Sequence, residues 1–428
     1  MMFKRFFPNS RPGTFLSSVF LLLFLNLLVK PLWIFAIDRQ VQNIVGLAMY
    51  GKYFALFNIT IIFNFLLDPG ITVFYTLRAS AHKELMPQQF FQTALFKFYL
   101  GTAYAIILAI VAYVSGINNP GLLFALGLVQ FLFSFFLFLR SHITAMQLFS
   151  VDAWLSVIDK SLMIISCGLL IYMPGVFGPI DITKFVLLQI ASTLLSIFLA
   201  IGIIRGKGIR GSIRNKISFS TLRNAWPYGL IVLVMSAINR QDAFLLNRLH
   251  PNGDYEAGIY AGAYRLLDAA NMIGYLVAAF LLPYISRNWD NIHLKKVLVL
   301  CRNLLLVIAM VVIAITMVFA HTIAGLLYHS NFSYQVLIIQ LCMPAIIGYY
   351  LVQVYGTVLT ASGNIRLFLK ISIPFLFFNL VSNIWMIPAY GARACCIIAV
   401  ITQLSYGTLL SVVARKKILE RTGIVPND

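Results

Sequence analysis

Several ionisable side chains stand inside long apolar runs. Lys30, Lys97, Lys160, Arg240 and Arg265 are bases among Leu, Ile, Val and Phe, and Asp159, Asp242 and Asp268 are acids in similar surroundings. A charge at the centre of an apolar helix costs roughly 2.5–3.5 kcal/mol on insertion scales, so each needs a partner, a wet cavity or an exit to the interface. Lys52 and Lys184 lie near the ends of such runs, where a Lys stem snorkels outward; Lys30 and Lys97 lie about two turns in, where snorkelling and a true interior position are equally good readings. Bases outnumber acids in this interior, so it favours an anionic cargo and disfavours a cationic one. Arginine suits phosphate in particular, because its planar fork holds two oxygens at once.

Spacing limits who can meet whom. Arg265 and Asp268, at i and i+3, can pair on one helical face, either as a packing pair or as part of a site. Arg240 and Asp242 are two apart and face different ways, so they call for partners on neighbouring helices; Asp242 with Arg265 is one candidate. Asp159 and Lys160 are adjacent and likewise point apart. The substrate-binding candidates are therefore Arg240, Arg265, Lys160, Lys30 and Lys97, and the coupling or gating candidates include Asp242, Asp268 and Asp159. Asn239, Gln241, Asn271, Gln353 and Asn379 could bond sugar hydroxyls, though interhelical bonds are the more usual role of such residues. The five cysteines, Cys167, Cys301, Cys342, Cys395 and Cys396, show no metal-ligand spacing and read as small packing residues. No cofactor, metal or catalytic set is expected.

The elements that must carry these residues follow from composition. Of 428 residues 61% are hydrophobic and only 11% charged, and the mean hydropathy is +0.89; soluble chains run near about 45–50% and 25%. Stretches of about 20 apolar residues, enough to cross a bilayer, lie near 14–36, 46–67, 90–114, 120–139, 152–173, 183–204, 226–247, 258–285, 297–320, 335–360, 366–387 and 393–414. The chain therefore reads as an all-α polytopic membrane protein of about twelve transmembrane helices. The first stretch is too long for a signal peptide and holds Lys30-Pro31 where a small-residue cleavage site would stand, so it reads as a retained span. The net charge is +19, with 32 Lys and Arg against 13 Asp and Glu. With the amino terminus inside, nearly all loop bases fall on the inner segments, while the outer loops hold only Arg39, Arg248 and Arg393. This is the positive-inside pattern, and it places both termini in the cytoplasm. The basicity is thus topology and gives no reason to expect nucleic acid. No outer loop exceeds about a dozen residues on this assignment, which leaves no room for the extramembrane domain of a lipid-linked glycan polymerase or ligase.

The longest connection, 205–225, is basic and divides six spans from six, giving an N-terminal lobe at 1–204 and a C-terminal lobe at 226–428. Ile209, Ile213 and Ile217 recur at four-residue spacing within it, as in an interfacial helix, whereas Gly206, Gly208 and Gly211 favour a solvated linker. The halves resemble each other: "YGKYFALFN" from Tyr50 aligns with "AGAYRLLDA" from Ala261, pairing Gly51 with Gly262, Tyr53 with Tyr264 and Leu56 with Leu267. An even number of spans per half makes this a parallel repeat, related by an axis along the membrane normal.

"VGLAMYGKYFALFN…LLDPGI" from Val45, "AGIYAGAYRLLDAANMIGYLVAAFLLPYIS" from Ala257 and "GTVLTASGNIRLF…NLVSNIWMIPAYGARA" from Gly356 resemble the Wzx-type polysaccharide flippases of the multidrug/oligosaccharidyl-lipid/polysaccharide (MOP) exporter superfamily. The resemblance spans nearly the whole chain. It implies alternating-access translocation of undecaprenyl-diphosphate-linked oligosaccharide, such as an O-antigen, capsule or exopolysaccharide repeat unit, across the bacterial cytoplasmic membrane. Other polysaccharide-assembly membrane proteins would be its partners beside the lipid-linked sugar. Asp68 and Arg78, at the inner end of the second span, would then serve an inner gate or a plain helix-end pair. A multidrug-type cation exporter would be expected to carry an acidic interior instead. A lipid II flippase stands closer, but such proteins commonly have two further carboxy-terminal spans, and the apolar stretches here stop before Arg415-Lys416-Lys417. A glycan polymerase or ligase is the enzymatic alternative.

Overall fold

The computed structural model of the protein describes residues 12–72, 75–76, 86–117, 120–206, 219–287, 294–328 and 332–422. Among these residues there are helices and short connections and no strand. Arg78 and residues 207–218, including the expected interfacial segment with Ile209, Ile213 and Ile217, lie outside the described residues.

All twelve expected spans are helical. The first is α1 (Pro12–Leu32) continued through a π-helical turn, Trp33–Asp38, into α2 (Arg39–Val45). Pro31 supplies no N–H to the ladder, and the register relaxes into the wider turn directly after it. Next come α3 (Leu47–Ile62), closed by a 3₁₀ turn at Phe63–Leu66, then α4 (Met86–Val114), α5 (Pro120–Ala145), α6 (Phe149–Tyr172) and α7 (Ile182–Gly206). The second half holds α8 (Phe219–Leu249), α9 (Gly253–Arg287), α10 (Leu294–Leu327), α11 (Phe332–Cys342), α12 (Ala345–Ala361), α13 (Ile365–Tyr390) and α14 (Ala392–Thr422). Met343-Pro344 breaks the tenth span into α11 and α12.

Ten stretches of the described helices are long and apolar enough to cross a membrane. Of the other two expected spans, α3 has only 16 residues, whereas α9, at 35 residues, carries Arg265 and Asp268 in its middle and an uncharged apolar stretch at 269–286. Large apolar side chains face outward along the others, including Phe20, Leu300, Val307, Val318, Val381 and Trp385. Such an exterior is stable only against lipid tails.

The chain divides into two compact units. One comprises Met1–Val45 and Ile59–Leu233, the other Gly46–Asn58 and Val234–Asp428. The division by packing therefore cuts inside α3 and inside α8 instead of following the sequence halves. In the first unit α1 packs on α6 and α5 on α7, with Phe136, Phe138, Leu139, Ile143, Leu155, Ala200 and Ile204 in its core. In the second, α12 is the central helix, packed against α9, α10 and α14. α12 and α14 approach closely at Gly348, where any Cβ would meet the Gln403 backbone, as small residues allow in membrane bundles.

Candidate functional site

The second unit gathers the two interior arginines. Arg240, on α8, closes a two-pronged ion pair with Asp268 on α9: Nη1 donates to Oδ2 at 3.0 Å and Nη2 to Oδ1 at 3.2 Å. Its Nη1 also donates to Asn58 Oδ1 at 3.4 Å, and its guanidinium lies 5.1 Å from the Tyr264 ring centroid. Tyr264 is itself fixed by donating to the Asn239 carbonyl at 2.7 Å. Arg265 donates from Nε to the Tyr50 hydroxyl at 3.4 Å and lies over Phe54 and Phe57, 5.2 and 5.8 Å from their centroids. Tyr50, Phe54 and Phe57 recur at i, i+4 and i+7, so α3 presents one aromatic face. Phe54 also meets Tyr264 edge-on at 5.9 Å. The result is two guanidinium groups set among aromatic rings, one of them paired with the carboxylate of Asp268.

α3 reaches this place because its backbone comes against that of α9. A Cβ on Gly51 would collide with the Asp254 carbonyl and the Gly258 nitrogen, and one on Gly258 with the Leu47 carbonyl. No larger residue fits either position without moving a backbone.

Next to Arg240 on α8, the other side chains turn to α13 and α14. Gln403 donates to Asn239 Oδ1 at 2.8 Å, and Gln241 donates to Asn379 Oδ1 at 2.6 Å. Asp242, only 2% exposed, accepts from Asn383 Nδ2 at 2.9 Å and from the Tyr260 hydroxyl at 3.2 Å. Asn379 in turn donates to Thr402 at 3.3 Å, and Asn383 Oδ1 is buried without a hydrogen-bond partner. This is a buried carboxyl in a nest of amides and hydroxyls. Asn239, Gln241 and Asn379 thus take interhelical bonds.

The first unit holds the lysines in two separate settings. Lys160 pairs with its neighbour Asp159 at 3.1 Å, with its ammonium 5.5 Å from the Trp33 ring centroid. The expectation that adjacent residues point apart is corrected here: four methylenes let a Lys head curl back onto the preceding carboxylate. Lys30 shares the electrostatic field of Asp159, Arg140 and Lys160. Along the same α1–α6 seam, Ser18 meets Ser150 at 2.8 Å and Asn26 donates to Ser156 at 2.7 Å. Arg140 holds Asp152 with two bonds of 2.8 and 3.2 Å.

Lys97 does not snorkel. It is 1% exposed and donates to Asp68 Oδ2 at 3.1 Å, Ser134 Oγ at 3.0 Å, and the Leu67 and Ser134 carbonyls at 3.2 and 3.4 Å. Asp68 also accepts from the Thr72 backbone at 3.0 Å. The pair ties the turn after α3 to α4 and α5, which is a packing task.

The sequence reading allowed Arg265 and Asp268 to pair on one face of a helix and offered Asp242 as a cross-helix partner for Arg265. The cross-helix partnership runs instead from Arg240 to Asp268. Tyr50, Phe54, Phe57, Asn58, Tyr260 and Asn383 were not singled out, although the i, i+4, i+7 aromatics of α3 were visible. Among the described residues no three or more His, Cys, Asp or Glu side chains group as for a metal ion.

Comparison with known proteins adds the family setting. A family model described as "Polysaccharide biosynthesis protein" matches residues 15–289. No curated protein matches the chain significantly. Among solved structures, an inward-facing multidrug-resistance MATE family transporter of the MOP superfamily superposes with a TM-score of 0.69 at 15% identity, over 97% of this chain and 99% of that one. Its outward-facing conformation gives 0.67 at 15%, over 97% and 98%. A MOP superfamily transporter from Pyrococcus furiosus, described as having a binding pocket of reversed polarity that suggests a different function, gives 0.68 at 14%, over 96% and 97%. The fold is that of MOP-superfamily exporters, in a multi-pass membrane protein.

Proposed function

Because the chain belongs to the polysaccharide biosynthesis protein family, we propose that it is a flippase that moves polyprenyl-diphosphate-linked oligosaccharide from the inner to the outer leaflet of the cytoplasmic membrane by alternating access. The observation that carries this reading is the arginine pair. Arg240 and Arg265 sit within membrane helices, held over aromatic rings rather than led out to the interface. Holding a guanidinium there costs energy that packing alone does not repay, and a diphosphate is the group whose charge and paired oxygens match it. The surrounding Tyr and Phe faces suit the apolar faces of sugar rings. The P. furiosus transporter supports the reading, since its binding pocket is described as reversed in polarity and as suggesting a different function.

The buried Asp242 is the coupling group in this reading. Its carboxyl is closed off by Tyr260 and Asn383 and lies one turn or less from Arg240 on α8, so a change in its charge is felt where the diphosphate binds. No covalent step is required: binding, reorientation and release are the whole cycle.

The test is genetic and biochemical together. In a strain whose surface polysaccharide depends on this protein, Arg240→Ala and Arg265→Ala should each abolish the polymer while the protein accumulates at normal level in the membrane. Wild-type amounts of polymer in both variants would remove the arginines from the site, and glycan transfer by the purified protein would replace the flippase reading with an enzymatic one.

A further inference from the structure

We propose that Asp268 is an internal counter-ion for Arg240 that the substrate's diphosphate displaces, its carboxyl taking up a proton from the aqueous phase as it leaves. The inference deepens the flippase reading and rests on it.

Both terminal nitrogens of Arg240 are already occupied, each by a different oxygen of Asp268, at 3.0 and 3.2 Å. A phosphate gripped by the same fork needs the same two donors. Cargo and carboxylate therefore compete for this Nη1–Nη2 edge, and cannot both be bidentate on it.

The pair is built for exchange. Its side chains are 19% and 20% exposed, whereas Lys97 at 1% and Asp242 at 2% are sealed. Arg240 also has supports that do not leave with Asp268: the Tyr264 ring beneath it and Asn58 beside it. The fork keeps its place while one anion replaces another.

Charge decides what becomes of the displaced carboxyl. The charged and titratable groups around Asp268 are Arg240, Arg265, Tyr264, Tyr275 and Tyr349, contributed by α8, α9 and α12, and Tyr349 shares the field of Asp242 as well. Two are cations, Asp242 is closed off by Tyr260 and Asn383, and the rest are phenols. A diphosphate diester brings one negative charge per phosphate, which balances the two arginines only if Asp268 is neutral. An ionised Asp268 would face the diphosphate as a like charge in a medium of low dielectric. Protonation removes that repulsion and turns the carboxyl into a hydrogen-bond donor toward the phosphate. The proton comes from bulk water and returns there when Asp268 recloses on Arg240 and expels the cargo. By linkage, proton and diphosphate must then favour each other's binding to the same extent.

The experiment measures binding of undecaprenyl diphosphate to the full chain in lipid nanodiscs at pH 8 and pH 6, with undecaprenol as the phosphate-free control. For Asp268→Asn the expected result is binding tighter than wild type at pH 8 by about ten-fold, within the range usual for coupled sites. The gain in affinity at pH 6 should be larger for wild type than for Asp268→Asn, in which only the responses of the diphosphate itself and of Asp242 remain. Asp268→Glu keeps a titrating carboxyl and should keep the wild-type pH response. Undecaprenol should respond to neither the substitution nor pH. Equal or weaker binding of undecaprenyl diphosphate by a folded Asp268→Asn protein would overturn the inference, as would loss of the pH response in Asp268→Glu. If folded wild-type protein binds undecaprenyl diphosphate at neither pH, the flippase reading itself fails and the inference falls with it.

Discussion

At the scale of single residues, the interior charges fall into two kinds, and burial with partner count separates them. Lys97 has four acceptors and no exposure, so its charge is spent on holding the turn after α3. Removing one partner of a buried pair costs about 3–5 kcal/mol, and because Asp68 is partly exposed the lower end applies. Lys97→Met should therefore lower the thermal midpoint of the detergent-solubilised protein clearly, whereas Arg265→Ala should leave it near wild type; equal midpoints for Lys97→Met and wild type would show that the tie contributes nothing. The partners themselves were partly within reach of the sequence. α8 and α9 are joined by the short turn at His250–Asn252, and only five residues separate the end of α4 at Val114 from the start of α5 at Pro120. Residues equally far from a tight turn face each other in an antiparallel pair, and this register brings Lys97 to Ser134 and Asp242 toward Tyr260. Counting along one helix, as the i and i+3 argument for Arg265 and Asp268 did, does not reach the bond from Arg240 to Asp268, because that bond crosses between helices. The contact of Arg265 with Tyr50 follows from no spacing rule; it depends on how two distant helices pack.

At the scale of elements, hydropathy located every span but did not single out those that matter for the site. α3 and α9, with α8, build the arginine site; α3 is only 16 residues long and α9 carries its charges in mid-helix. α3 and α9 are also the two helices whose segments align as an internal repeat, so a three-residue match pointed to the same place. The aligned glycines do different work, however. Gly51 meets α9 at Asp254 and Gly258, while Gly262 lies against Gln335 and Tyr328. Overpacking a tight contact costs typically about 1–3 kcal/mol, and here the obstacle is backbone that cannot rotate away. Gly51→Val and Gly258→Val should each reduce folded yield and thermal midpoint more than Gly202→Val, since Gly202 has open space around its Cα. Comparable midpoints for all three variants would mean that α3 and α9 do not rely on this approach. The break at Pro344 and the π turn after Pro31 were visible as prolines, but the kind of break each makes was not. A missing donor can be absorbed by a wider turn or by ending the helix, and the neighbours choose.

At the scale of the whole molecule, the net charge of +19 is the feature most open to misreading. On a soluble chain it would suggest nucleic acid. Here most of it lies toward the ends of lipid-facing helices and in the segments between them, where the positive-inside rule reads it as a signal of orientation, and only the small interior excess bears on the proposed cargo. The assignment can be checked along the chain. Alkaline phosphatase folds to an active form only when exported, so fusions after Gly116, Pro174 and Asn252, which the charge pattern places outside, should be active. Fusions after Gln147 and Gly363 should be inactive, because these positions sit on connections at Arg140 and Arg366, on the basic side. The reverse pattern would invert the protein in the membrane. Arg240 and Arg265 would keep their partners in that case, but the diphosphate would have to enter from the outer leaflet, and the direction of transport proposed above would be wrong. The polarity of the loops and the polarity of transport are therefore one claim, and the fusions test both at once.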